Sequence, residues 1–183
     1  FYKGKRVIVN SGTSTYWEQP LREHQRATSA HNTVVVDGKN SSQVWDRFRT
    51  AKKASVLDVQ IYKNRENIQL TSSHNGYKPV IHERFWKVTG STLEVIDHLK
   101  GKFHWAHSYL YFHPTTKIHE LSPGEWFITG PNYEGTLKTK SPSCLHPTFW
   151  YPEFNKKIPN LCLVSSFQFQ EHSVQIDFKP KPK

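Results

Sequence analysis

In AHNTVVVDG (residues 30–38) a histidine and an asparagine, His31 and Asn32, stand at the mouth of a three-valine run. A histidine in that position can ligate a metal, move a proton or plug a strand end, because its neutral ring both donates and accepts a hydrogen bond. Just upstream, Arg22, His24, Gln25 and Arg26 make residues 22–32 a polar, cationic rim. Guanidinium groups hold carboxylates and sulfates through paired hydrogen bonds, and neutral His and Asn can serve hydroxyls or a carboxylate whose charge must be spread. A solvated hairpin loop with one histidine bonded to backbone fits the same residues equally well. TSTYWEQP sets Tyr16 and Trp17 beside the rim, SSHNGYKP groups His74, Asn75 and Tyr77 around a glycine turn, and IHERFW adds His82 and Arg84. Aromatic faces next to cationic loops suit sugar rings or bases, and they fill β-sheet cores at least as often.

Other chemistry is sparse. The chain has 11 histidines, but none forms a His-Glu-x-x-His pair or falls into a Cys-rich zinc spacing, so a dedicated metal enzyme is not indicated. Cys144 and Cys162 allow one disulfide in an oxidising compartment or two thiols in a reducing one. Trp45, Trp86, Trp105, Trp126 and Trp150 are read as core or inter-sheet residues.

The elements that must position these groups are strands. In ASVLDVQIY the period-two pattern puts Leu57, Val59 and Ile61 on one side and Val56, Asp58 and Gln60 on the other; LCLVSSFQFQ does the same with Leu161, Leu163, Phe167 and Phe169. Both are expected to be half-buried antiparallel strands. Similar runs occur in KRVIVN, NTVVVDG, ENIQLTSS, ERFWKVTG, TLEVIDHL, AHSYLYFHP, EWFITGP and SVQIDF, separated by turn material such as VDGKN, TGST and LSPGEW. No stretch carries apolar residues at helical spacing for long, although SQVWDRFRTAKKA could form a short turn. The fold class is therefore all-β, a two-layer antiparallel sandwich of about ten or more strands, without internal repeats.

A length of 183 residues with 14% aromatics suits a single folded sandwich spanning 1–183. No methionine occurs, and FYKGKRVIVN reads as a strand already under way; the expectation is a fragment of a longer protein, for which a missing signal peptide says nothing. No run approaches the length of a membrane span. The net charge is +10, and up to Lys53 ten Lys or Arg stand against four Asp or Glu. Such a field attracts polyanions of any kind. Nucleic acid is not indicated, since charge is the only feature in its favour and no recognition motif accompanies it. The basic KPKPK tail is assigned no role.

RATSAHNTVVVDGKNSSQVW, followed by SSHNGYKPVIHERFWKV, EVIDHLKG, YLYFHP and YPEFNKKIPN, resembles the heparinase II/III-like family of polysaccharide lyases. The order and spacing match along nearly the whole chain. GKRVIVNSGTSTY is similar to the family's Asp-x-Gly-Thr strand and turn, and AHNTVVVDG is its most specific signature. The resemblance implies a C-terminal β-sandwich that forms one wall of a substrate groove, the other wall being an N-terminal α-helical toroid missing from this chain. It implies a bacterial, periplasmic or secreted lyase acting on uronate-containing acidic polysaccharides, such as glycosaminoglycans or alginate-like chains. These are cleaved by β-elimination: a base takes the C5 proton and the 4-linked oxygen departs. The toroid supplies much of that chemistry, so the isolated chain is expected to be inactive.

By the same resemblance His31 matches a sandwich histidine that assists catalysis and in some members binds zinc. The other zinc ligands there are the second His of a His-x-His-x-Asp motif upstream and the Asp of the Asp-x-Gly turn. That Asp position is Asn10 here, and an amide is a poor zinc ligand beside a carboxylate. No cofactor is expected. Tyr16, Arg22, Arg26, Asn32, His74, Tyr77 and Arg84 fall in the matching motifs or on the rim and are the candidates for facing substrate. A non-catalytic carbohydrate-binding module for acidic glycans is the alternative; it needs only exposed aromatics and cationic loops.

Overall fold

The computed structural model describes residues 1–46 and 48–182; Arg47 and Lys183, the last residue of the basic tail, lie outside them. After residues 1–18, which make only isolated bridges, come a short helix, α1 (Gln19–Arg26), and a 3-10 turn (Thr28–Ala30). Fourteen strands then follow among the described residues: β1 (Val34–Val36), β2 (Val44–Trp45), β3 (Arg49–Thr50), β4 (Val56–Lys63), β5 (Asn67–Tyr77), β6 (Val80–Thr89) and β7 (Thr92–Lys100) in the first half, and β8 (Ala106–Tyr111), β9 (Lys117–Ser122), β10 (Glu125–Thr129), β11 (Tyr133–Thr139), β12 (Ser143–Trp150), β13 (Ile158–Phe167) and β14 (Glu171–Pro180) in the second. A four-stranded sheet, β1-β8-β13-β12, packs on an eight-stranded sheet, β4-β5-β6-β7-β14-β11-β10-β9, and β2-β3 form a separate hairpin. Every ladder within the sheets is antiparallel, as the alternating patterns and short turns anticipate.

The two layers close on apolar side chains from alternating positions. Phe112, Ile118, Trp126, Ile128, Leu137, Leu163, Val174 and Ile176 form one cluster. Val34, Val36, Tyr77, Val80, Leu99, Ala106 and Phe167 form a second. Fully burying a side chain of this size contributes about 1.5–3 kcal/mol, which is why β1, only three residues long, stays in place with all three valines buried.

Four sequence expectations need correction. The helix α1 was not anticipated because its residues QPLREHQR carry a single apolar side chain, Leu21; Pro20 in the first turn starts it, and one buried residue, Gln25, holds it down. The SQVWDRFRTAKKA segment holds the β2-β3 hairpin rather than a helical turn. KRVIVN forms no extended ladder; it makes single bridges, Tyr2 to Lys5 and Ile8 to Phe112. Finally, all eight residues of β4 are exposed, so Leu57, Val59 and Ile61 are not half-buried. The cause is the mismatch of four strands against eight, which leaves the β4 edge beyond the smaller layer.

Candidate functional site

The end of the sandwich at His31 is assembled around residues 10–16. Ser11 N donates to Ala30 O (3.3 Å), Tyr151 N to Ser11 O (2.7 Å), Thr13 N to Tyr151 O (3.2 Å) and Asn155 N to Ser14 O (2.9 Å). Gly12 is what allows this threading: its φ is +86°, and a Cβ there would lie 2.0 Å from the Tyr151 carbonyl oxygen. α1 is clamped onto the same segment by Gln25, whose amide donates to Ser14 Oγ (2.9 Å) and accepts from Ser14 N (3.1 Å).

His31 Nδ1 lies 3.0 Å from Asn10 Oδ1. The amide oxygen can only accept, so the imidazole carries its proton on Nδ1 and keeps an unprotonated Nε2, with no hydrogen-bond partner among the described residues. Burial lowers the His31 pKa, keeping the ring neutral at neutral pH. Further along the same segment, Arg22 donates to Thr13 Oγ1 (3.4 Å) and its guanidinium lies over the Tyr16 ring at 5.1 Å. Tyr16 in turn contacts Phe48 (5.5 Å) and Phe154 (5.1 Å). Tyr16, Trp17, Phe48 and Phe154 are all exposed, and on the β2-β3 hairpin Arg49 stacks on Trp45 at 4.9 Å. Trp45 is thus a surface residue, 49% exposed, not a core one; Trp105, at 37%, is also exposed.

The other expected residues are engaged by the protein itself. Arg26 reaches across to the β2-β3 hairpin and donates to Asp46 O (2.6 Å), Arg49 O (3.1 Å) and Thr50 Oγ1 (3.1 Å). Asn32 donates to Val9 O (3.0 Å) and accepts from Tyr111 N (2.8 Å), which pins the residue beside His31 to two backbone segments. Buried Tyr77 donates to Val34 O at 2.5 Å, and burial raises its pKa.

His74 and Arg84 are the two ends of a network. Arg84 donates from Nε (2.6 Å) and Nη2 (2.9 Å) to Asp97 and from Nη1 to the Asn32 carbonyl. His82 Nε2 lies 2.6 Å from Asp97 Oδ1, His74 Nε2 3.0 Å from His82 Nδ1, and Gly76 N donates to His74 Nδ1 (3.1 Å). The carboxylate at one end and the backbone N–H at the other fix every tautomer: His82 donates from Nε2, and His74 donates from Nε2 and accepts at Nδ1. Both ring nitrogens of His74 are therefore occupied. Burial, with the charges of His82 and Arg84, lowers the His74 pKa to about 4. Burial alone would raise that of Asp97, but Arg84 and His82 overcompensate and hold it far below the usual carboxylate range.

The sequence reading passed over Asp97 altogether and singled out His82 only by context. The signal is present in the alternation: Leu93, Val95, Asp97 and Leu99 share a face of β7, and Val80, His82, Arg84, Trp86 and Val88 share a face of β6. A carboxylate in an apolar row demands cations and donors opposite it.

The donor set around His31 is one imidazole and one amide, and among the described residues no three His, Cys, Asp or Glu side chains gather as a metal site. These residues do not fit a zinc ion, for which three or four such ligands are needed.

The family model for the heparinase II/III-like C-terminal region matches residues 1–166. The chain belongs to the heparinase II/III-like C-terminal family. Its fold is similar to that of the heparan sulfate lyase HepC from Pedobacter heparinus (TM-score 0.82, 16% identity, 100% of this chain and 30% of that one). It is also similar to the heparinase III-BT4657 gene product (0.77, 16%, 100% and 29%) and to a heparinase III (0.76, 12%, 98% and 28%). At such identities the likeness concerns the fold. None of the curated proteins matches the sequence well enough to serve as a relative. The chain spans about 30% of the length of these solved structures.

Proposed function

We propose that this heparinase II/III-like domain, in a longer bacterial lyase, forms one wall of a groove for uronate-containing acidic polysaccharide, which the whole protein cleaves by β-elimination. The observation that carries this is that one segment, residues 10–16, holds both the Asn10 that anchors His31 and the Thr13 and Tyr16 that meet Arg22 and Phe154. In β-elimination the C5 proton is weakly acidic, so charge gathering on the uronate carboxylate must be stabilised while a base and an acid act at C5 and at the leaving oxygen. Neutral His31, held at Nδ1 by Asn10, can take or share a proton at Nε2 as an assisting residue. Arg22, bonded to Thr13 on the segment that also carries Asn10, supplies positive charge, and the exposed rings of Tyr16 and Phe154 suit pyranose stacking.

Asn32, His74, Tyr77, Arg84 and Arg26 act in this proposal as positioning residues, because their polar groups are engaged in holding residues 28–36 and the β2-β3 hairpin. The missing wall, a helical toroid, supplies the principal base, so the isolated chain is inactive, and the setting is periplasmic or secreted. Among the described residues no helix is long and apolar enough to cross a membrane.

The test is ultraviolet absorbance of unsaturated product after incubation with heparan sulfate, alginate and other uronates. The parent protein should produce it and the 183-residue chain should not; robust turnover by the chain alone would overturn this division of labour. The exposed aromatic and Arg cluster also favours a second reading, a glycan-binding module without catalysis. Heparin retention by the isolated chain that is lost on Arg22→Ala or Tyr16→Ala, together with an inactive parent, would establish it.

A further inference from the structure

A second aromatic cleft lies at the other end of β8 from His31. Asn32, next to His31, accepts from the N–H of Tyr111 at the end of that strand, whereas Trp105 immediately precedes its start. The extended chain from Trp105 to Tyr111 spans roughly 20 Å at ~3.3 Å per residue. The cleft has a volume of about 630 Å³ and is walled by Trp105 and Phe169, with Lys140, Ser166, Gln168 and Glu171 around them. Its size and mixed lining are those of a small-ligand pocket.

The fold fixes Trp105 without covering it. Asp37 Oδ1 accepts from the backbone N–H groups of His104 (2.8 Å) and Trp105 (3.1 Å), and Asp37 N donates to Trp105 O (2.9 Å). Gly38 follows with φ +68°, and a Cβ there would meet the indole ring at 3.4 Å; on another side the His107 ring lies 4.6 Å away. Trp105 is nevertheless 37% exposed, and Phe169, past the end of β13, is 80% exposed. Buried Phe167 and Ser141 also line the cleft. Both rest on fully buried His172, the first by stacking (5.0 Å, 17°) and the second through Oγ, 3.0 Å from Nδ1. A ligand meeting these groups would have little to order.

The polar groups suit hydroxyls better than an anion. Lys140 Nζ lies 2.6 Å from Glu171 Oε1, so a carboxylate or sulfate would gain little from a charge that is already matched. Burial and the neighbouring His146 lower the His107 pKa, which leaves that ring neutral at neutral pH. Ser166 and Gln168 are exposed, and their side chains make no hydrogen bond among the described residues. Bare aromatic faces beside uncommitted hydroxyl and amide groups match a sugar ring, apolar on its faces and polar at its edge.

We propose that this cleft is a second glycan site, separate from the His31 end, which takes an uncharged pyranose residue of a polysaccharide chain against Trp105 and Phe169. It rests on the cleft alone and stands whether or not the parent protein cleaves uronates. The two ends then select differently: the Arg22 rim attracts acidic chains and is weakened by salt, while the Trp105 cleft is indifferent to charge.

The test is indole NMR of the 183-residue chain, whose 6 tryptophans are separate reporters, titrated with cellotetraose, chitotetraose and, for comparison, heparin. Calorimetry supplies the affinities. An uncharged tetrasaccharide should move the Trp105 signal, with an affinity that changes less than about twofold between ~0.1 and ~1 M salt. The affinity should fall about tenfold or more in Trp105→Ala and in Phe169→Ala and stay unchanged in Arg22→Ala. Phe169 is 80% exposed, so its loss of binding would not come from unfolding. The parent protein should bind the same sugar equally well. A Trp105 signal unmoved by either uncharged sugar would overturn the proposal, as would shifts confined to Trp17 or Trp45, binding of heparin alone that salt abolishes, or full affinity in Phe169→Ala. So would a parent protein that does not bind the sugar, because its other parts would then cover the cleft.

Discussion

Replacing Asp97 with alanine should be among the most damaging single changes available to this domain. Asp97 is 1% exposed and receives His82 Nε2 at 2.6 Å and Arg84 Nε and Nη2 at 2.6 and 2.9 Å. Asp97→Ala leaves the Arg84 guanidinium, 9% exposed, without its counter-charge. Breaking a buried ion pair in this way costs about 3–5 kcal/mol. In a domain of this size that lowers Tm by roughly 6–20 °C, against a total stability of about 5–15 kcal/mol. Removing both charges, with Asp97→Leu and Arg84→Met together, should cost less than the two single changes summed, because an apolar pair replaces the ions and what is left unpaired is neutral, the His82 N–H and the Asn32 carbonyl, at about 1–3 kcal/mol each.

Urea unfolding followed by tryptophan fluorescence, with the slope unchanged between variants, measures the unchanged domain, Asp97→Ala, the single Asp97→Leu and Arg84→Met variants and the double variant. The two charge-removing changes should be strongly non-additive. A cost for Asp97→Ala below about 1 kcal/mol, or a double variant that loses the sum of the singles, would refute the view that Asp97 and Arg84 are a coupled buried pair.

Acid should weaken the fold before any carboxylate is lost. His74 and His172 are lowered to about 4, chiefly by burial, so between there and the ordinary value of about 6.5 the unfolded chain binds more protons than the folded one. Their contribution is full above pH ~6.5 and fades as pH falls toward 4, by roughly 3 kcal/mol for fully buried His172; His172→Gln should flatten a plot of urea midpoint against pH in that window, and an unchanged slope would contradict it. Asn10→Asp puts a carboxylate against His31 Nδ1 and should raise the His31 pKa by about one unit or more in an NMR titration; an unmoved value would mean that the two side chains do not meet.

Much of this was legible in the alternation of apolar residues. Period two assigns a face to each strand residue, and the apolar rows of β6, β7, β13 and β14 do meet in the core: Leu163, Phe167, Leu99 and Ile176 are all buried. Period two does not reveal whether anything lies over a face. Leu57, Val59 and Ile61 follow the same pattern as Leu161 and Leu163, yet they are exposed because coverage depends on how many strands the opposing layer contains, a property of the assembled sheets. Phe169 shows the same limit along a single strand: it is in phase with Phe167 but lies past the end of β13 and is 80% exposed.

The candidate site divides along similar physical lines. Residue types mark Tyr16, Arg22 and His31 as polar or aromatic candidates together with Arg26, Asn32, His74, Tyr77 and Arg84, but they do not distinguish a side chain turned to solvent from one consumed by its neighbours. That distinction is made by atoms far apart in the chain: Arg84 meets Asn32 across 52 residues, and Tyr77 meets Val34 across 43. The apolar rows still contain a clue to it. A charge or an imidazole in phase with valines and leucines would cost several kcal/mol if buried alone, so His82, Arg84 and Asp97, in phase on adjacent strands, imply one another. Their joint requirement, rather than any single motif, is what ties β6 and β7 to the backbone carbonyl next to His31.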